Sequence, residues 1–266
     1  MSVPRIMANI LAGIMFLTAG LVPSAGRAQA VDLELVLAID SSTSVDDREF
    51  ELQRQGLSQA FLHPDVIGAI RAAGDLGVAV SVVQWSGKNR QHTSVEWSLV
   101  RDRPSAAALS AKIATAARSI KGMTDIGSAV RYSIGTLENN SYRGQRLVID
   151  VSGDGSGNAA NAQAARNLAI SRGIVINGLV IDNEDIDLGE LAKIDLRAHY
   201  ANHVIGGFGA FLMNATDFND FRTAIRRKLV REITGPATAD LSERHLADMS
   251  SQAPRHLNVY GPAKRP

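Results

Sequence analysis

Asp40, Ser42 and Ser44 fall at alternate positions of the pentad Asp40-Ser41-Ser42-Thr43-Ser44. One carboxylate and two hydroxyls at this spacing form an oxygen-only donor set. Such a set suits a hard divalent cation like magnesium, which keeps several waters and takes few protein ligands. The same residue types also serve as turn and helix N-cap groups. Ser44 or Asp46 could therefore cap a helix that starts near Val45. The pentad alone leaves both readings open.

Two further segments carry the same chemistry. Gly122-Met123-Thr124-Asp125-Ile126-Gly127-Ser128 opens a helical pattern, and Ile149-Asp150-Val151-Ser152-Gly153-Asp154-Gly155-Ser156-Gly157-Asn158 follows a strand-like run. Their glycines let the backbone turn sharply and approach a ligand closely. Each segment also has a plain structural reading. Thr124 or Asp125 can cap a helix, Asp154-Gly155 can be an ordinary turn, and Asp150 lies inside the strand. The order and spacing of the three segments carry the signal.

The elements around them are legible from periodicity. Leu33–Ile39 reads as a buried strand, Asp46–Phe61 and Pro64–Ala73 as helices, and Leu76–Trp85 with Thr93–Leu99 as a hairpin. Helical patterns follow over Pro104–Ile120 and Asp125–Leu137. Then come a strand at Arg146–Val151, a helix at Ala159–Arg172 ended by Gly173, and a strand at Ile174–Ile181. A weaker helix over Leu188–Ala198, a short strand at Ala210–Asn214 and an amphipathic helix at Phe218–Glu232 complete the pattern. Strands alternating with helices predict an α/β fold: a doubly wound, mostly parallel central sheet with helices on both faces, Rossmann-like. Such folds bind ligands beyond the carboxyl ends of the strands, at a topological switch point. The three polar segments are therefore expected to meet at one sheet edge.

Composition narrows the function classes. The 266 residues contain no cysteine, which excludes disulfides, thiol chemistry and zinc–thiolate sites. Arg5, the apolar stretch Ile10–Val22 and the small-x-small sequence Ala28-Gln29-Ala30 match a secretory signal peptide cut after Ala30; an uncleaved N-terminal anchor is the alternative. Residues 1–30 are thus expected to be a leader and 31–233 the folded domain. Residues 234–266 are expected to be a polar, disordered tail. The location implied is periplasmic or secreted, with no membrane span in the mature chain. Removing Arg5 and Arg27 from the 28 basic residues leaves 26 against 27 acidic ones. That near-neutral balance gives no basic stripe for nucleic acid. Arg222, Arg226, Arg227, Lys228 and Arg231 read as a solvated helix face.

Weaker candidates complete the search. Asp182, Glu184, Asp185 and Asp187 form an acidic cluster that reads as a solvated loop or a second cation site. The six histidines show no zinc spacing, and Asn202 with the following Val-Ile-Gly-Gly argues against His199 and His203 sharing a helix face. Trp85 and Trp97 read as core or hairpin residues. No Gly-x-Ser-x-Gly elbow supports a serine nucleophile.

Taken together, Asp40-x-Ser42-x-Ser44, Thr124 and Asp154-Gly155 resemble the metal-ion-dependent adhesion site (MIDAS) of von Willebrand factor type A (VWA) domains. The resemblance runs from about Asp32 to Ile233 and fills all five motif positions. Within that family the chain is similar to an exported bacterial subgroup of uncharacterised role, through Val83-Gln84-Trp85-Ser86-Gly87, Val148–Gly155, Asn177-Gly178-Leu179, Val204-Ile205-Gly206-Gly207 and Ile225–Leu229. The resemblance implies Mg2+ (or Mn2+) held by Asp40, Ser42, Ser44, Thr124 and Asp154, with Asp125 and Ser128 as outer supports. It further implies a non-enzymatic binding module whose protein partner supplies an acidic side chain to the ion. The alternative is a magnesium-dependent phosphohydrolase with Asp40 as nucleophile. That class wants a second acid where this chain has Ser42, and a lysine at a later strand end.

Overall fold

The computed structural model describes residues 28–182 and 195–236. The expected leader up to residue 27, the acidic cluster beyond Asp182, most of the Leu188–Ala198 helix and the tail from residue 237 lie outside the described residues.

Six strands form one sheet in the order β3-β2-β1-β4-β5-β6. Strand β1 (Gln29–Asp40) runs up the middle, parallel to β2 (Val78–Trp85) on one side and β4 (Tyr142–Gly153) on the other. Every residue of β1 from Val31 onward is buried. That is why its sequence is a continuous apolar run rather than an alternation: a central parallel strand is covered on both faces. Strand β5 (Ile174–Ile181) and the short β6 (Leu212–Ala215) continue the parallel pairing. Strand β3 (Gln91–Val100) pairs antiparallel with β2, with register shifts near Val82. The sheet is thus mostly parallel with one antiparallel edge, as expected.

Helices α1 (Asp47–Leu62), α2 (Pro64–Ala73), α3 (Arg103–Thr115) and α7 (Phe221–Thr234) cover one face. Leu33, Leu35, Leu37 and Ile39 point toward it, among Phe50, Leu57, Phe61, Ile70, Leu109, Phe221 and Leu229. The other face receives Val36 and Ala38 of β1. It is covered by α4 (Ile126–Glu138), α5 (Ala159–Ser171), and α6 (Leu196–His199) with the π-helical turn Tyr200–Val204 that continues it. Each fully buried aliphatic or aromatic side chain stabilises the fold by about 1.5–3 kcal/mol, so two full layers suffice without disulfides.

Four expectations need correction. Helix α3 stops at Thr115 instead of reaching Ile120, because residues 116–121 are used as an extended strap. Strand β4 begins at Tyr142, before Arg146, since Gln29 and Ala30 pair with Tyr142 and Arg143; a cut after Ala30 would remove those two residues from β1. Lys228 is not on a solvated face: it is 0% exposed, inside the layer between α7 and the sheet. His199 and His203 do share one side of a helical segment, with ring centroids 5.3 Å apart, because α6 passes into a π-turn.

Candidate metal centre

The chain leaves β1 at Asp40, in the middle of the sheet, where connections on its two sides run in opposite directions. β2 lies to one side and β4 to the other. This is the switch point, where the loop ends diverge and leave a crevice. Asp40 is fully buried there. Its Oδ1 accepts the Ser42 N–H at 2.7 Å, and its backbone carbonyl accepts Gln53 Nε2 at 3.2 Å. The first of these folds the loop back over the strand end and places Ser42 and Ser44 together, their hydroxyl oxygens 3.0 Å apart. Ser44 Oγ donates to Asp154 Oδ1 at 2.8 Å across 110 positions of chain.

Asp154 comes from the turn after β4. Gly153 lies so close to Asp40 that a Cβ there would stand 2.6 Å from Asp40 Oδ2 and 3.0 Å from Trp85 Cζ2. Thr124 closes the group: a Cβ on Gly155 would meet Thr124 Oγ1 at 3.0 Å. Thr124 sits on the α3–α4 connection. That connection is tied down by Thr43 N–H to Gly122 O at 2.8 Å and by Asp125 N–H to Ser86 O at 3.0 Å. The fold therefore brings Asp40, Ser42, Ser44, Thr124 and Asp154 to one place.

Helix capping, the competing explanation for these residues, falls to their neighbours. Asp46 caps α1 in a capping box with Glu49, each bond 2.7 Å. Asp125 caps α4 through Ser128 N at 3.0 Å, and Asn158 caps α5 through Asn161 N at 2.8 Å. Ser44, Thr124 and Asp154 serve no helix end. Asp125 Oδ2 also takes the Ser128 hydroxyl at 2.9 Å, and its Oδ1 takes Asn161 Nδ2 at 2.6 Å. Asp125 and Ser128 thus bond to each other and lock α4 to α5 directly behind Thr124.

The electrostatics are those of a site short of positive charge. Burial, then repulsion from Asp154, pushes the Asp40 carboxyl up to about 7. Burial likewise raises Asp154, partly offset by the Ser44 hydrogen bond. Among the described residues, Asp40 Oδ2 and Asp154 Oδ2 are buried with no hydrogen-bond partner. Two orphaned carboxylate oxygens beside three hydroxyls fit a hard dication in donor type and in charge. Tyr200 was not legible as part of this region. Its hydroxyl is buried without a partner, and burial together with the fields of Asp40, Asp154 and Asp150 raises it well above the ordinary phenol range. Asp150 is strand-internal, as read from sequence, and faces Lys228 Nζ at 2.6 Å.

Residues 30–237 match the family described as "Protein of unknown function (DUF1194)", and the chain belongs to that family. Its fold is the VWA fold. The pilus adhesin SpaC of Lactobacillus rhamnosus GG superposes with a TM-score of 0.55 at 12% identity, over 77% of this chain and 30% of the adhesin. Proximal thread matrix protein 1 of the mussel byssus, in a structure described as having a zinc-occupied MIDAS motif, gives 0.51 at 15% identity, over 77% of this chain and 46% of that one. In sequence, the collagen alpha-1(VI) chain of Gallus gallus is 30% identical over 134 residues, 49% of this chain and 12% of the collagen. The chain thus spans less than half the length of each of these relatives.

Proposed function

We propose that this protein is an exported, non-enzymatic binding module that engages a protein partner through Mg2+ or Mn2+ held by Asp40, Ser42, Ser44, Thr124 and Asp154. The observation that carries this reading is the pair of buried, unpartnered oxygens, Asp40 Oδ2 and Asp154 Oδ2, set beside hydroxyls that cap nothing. A bound dication would neutralise the carboxylates and offer a Lewis-acidic position to a carboxylate from outside. Ser42, Ser44 and Thr124 contribute oxygen without charge, so the site's own charge stays low enough to favour an incoming acid. Met123, 83% exposed beside Thr124, gives the rim an apolar contact for the same partner. The zinc in the mussel protein's motif supports a cation here by analogy of fold. Export rests on the leader-like N-terminus. Among the described residues no helix is long and apolar enough to cross a membrane.

Asp40 has no exposed surface for in-line attack, and Ser42 stands where the phosphohydrolase reading wants an acid. The binding reading is therefore preferred to that one. Thermal melting with and without a chelator tests it. Millimolar Mg2+ or Mn2+ raises the midpoint of the wild-type chain, and Thr124→Ala or Asp40→Asn removes that rise. No shift with either ion in the wild type would end the proposal. Turnover of an aryl phosphate that is lost in Asp40→Asn would install the alternative.

A further inference from the structure

Strand β2 is apolar except for Ser81 and Gln84, and Gln84 is fully buried. Its amide reaches sideways to the strap that follows α3. Gln84 Nε2 donates to Ala117 O at 2.7 Å, and Gln84 Oε1 accepts Ser119 N–H at 2.8 Å. The side chain thus replaces a neighbouring strand for residues 117–119, and this explains why the helical pattern breaks off at Thr115. Arg118, held between those two anchors, is directed across the crevice onto the Asp40–Ser44 loop.

Nearly the whole guanidinium is spent on that loop. Nε donates to Ser41 Oγ at 3.2 Å, and that hydroxyl in turn donates a hydrogen bond to Ile120 O at 2.6 Å. Nη2 is shared by the backbone carbonyls of Ser41, Ser42 and Val45 at 3.1, 2.8 and 2.7 Å. Nη1 pairs with Asp47 at 2.8 Å, and the group lies over the Phe50 ring at 5.3 Å from its centroid. Three carbonyl contacts fix the 41–42, 42–43 and 45–46 peptide planes. The first two flank Ser42, whose hydroxyl meets Ser44 Oγ at 3.0 Å, and the third closes the turn just beyond Ser44. A lysine could not substitute, since its ammonium is a single point charge without the planar fork.

We propose that Arg118 is the positioning residue of the cation site, presented by Gln84 through the 116–121 strap and acting through the carbonyls of Ser41, Ser42 and Val45. This rests on the cation reading above. Outer groups that orient ligands typically account for about 10- to 100-fold in metal affinity, and a loss of that size is expected for Arg118→Ala and Arg118→Lys.

The test uses the full chain and Mn2+ alone. Dissociation constants are measured by calorimetry on wild type, Arg118→Ala, Arg118→Lys and, as a control, Arg172→Ala, which loses a surface guanidinium paired with Glu138; each midpoint in chelator is recorded alongside. Weakened Mn2+ binding in both Arg118 variants, wild-type binding in Arg172→Ala, and partial recovery of Arg118→Ala by millimolar methylguanidinium support the proposal. A purely structural role would lower the chelated midpoint and leave the Mn2+ constant unchanged; that result overturns it. If Arg118→Ala does not fold, Arg118→Lys decides by the same two readouts. Wild-type protein that fails to bind Mn2+ at all overturns the cation reading, and this proposal with it. Wild type that binds while the Arg118 variants bind equally well overturns only this proposal.

Discussion

Three helices of this chain begin just after a candidate ligand, and in each case a different residue does the capping. Asp46, Asp125 and Asn158 take the helix N–H groups. Ser44 is left bonded to Asp154, and Thr124 stands against the adjoining Gly155. The division of labour has an energetic consequence at Asp40, whose burial and closeness to Asp154 disfavour its charged form. Asp40→Asn keeps an acceptor for the Ser42 N–H and removes that charge. In chelator its melting midpoint should therefore equal or exceed that of the wild type, although its response to Mg2+ is abolished. A midpoint well below wild type in chelator would show that Asp40 is structural. Gly153 is constrained in the same small volume: a Cβ there runs into Asp40 Oδ2 and the Trp85 ring. Gly153→Ala should cost about 1–3 kcal/mol, the usual range for overpacking, and weaken the Mg2+ response; urea titration and melting check both.

At the scale of elements, β4 joins the candidate site to α7 through buried charge. Asp150 of β4 faces Lys228, and Lys228 bonds Glu232 one turn further along α7. Asn177 of β5 donates to Glu232 Oε1 at 3.1 Å, and Arg146 donates to the Glu232 carbonyl at 2.9 Å. One ammonium serves two acids here. Burial, then repulsion from Asp150, pushes Glu232 up to about 8. The folded chain thus holds a proton on Glu232 that the unfolded chain releases above its ordinary value of 4.5. Native protein binds more protons across that window, so this group's contribution to stability falls as pH rises from about 4.5 to about 8. Glu232→Gln should flatten that slope in urea titrations run at several pH values, and an unchanged slope would refute the assignment. Lys228→Met leaves Asp150 uncompensated in the core, and removing one partner of a buried pair costs about 3–5 kcal/mol.

Over the whole molecule, a ligand that binds only the folded state stabilises it by mass action. At an ion concentration of about 100 times Kd the gain is about 2.7 kcal/mol. For a domain of roughly 200 residues each kcal/mol moves the midpoint by about 2–4 °C. The expected shift with saturating Mg2+ is then about 5–11 °C, rising with the logarithm of ion concentration. A shift that plateaus early, or an equal shift in Thr124→Ala, would mean that the ion acts elsewhere on the chain.

The sequence by itself determined the α/β class and the alternation of elements, and it supplied the five residues proposed above as oxygen donors. These properties are local: apolar runs, helical spacing and residue types can be read within a short window. Tertiary structure decided which neighbours would cap helices, because that depends on where each loop lands once the strands are in register. It also decided the fates of Lys228, which the pattern Arg226-Arg227-Lys228 disguised as surface, and of Arg118, which a helical pattern concealed. Both make bonds to residues more than seventy positions away. A partner that distant leaves no trace in the periodicity of the segment it holds.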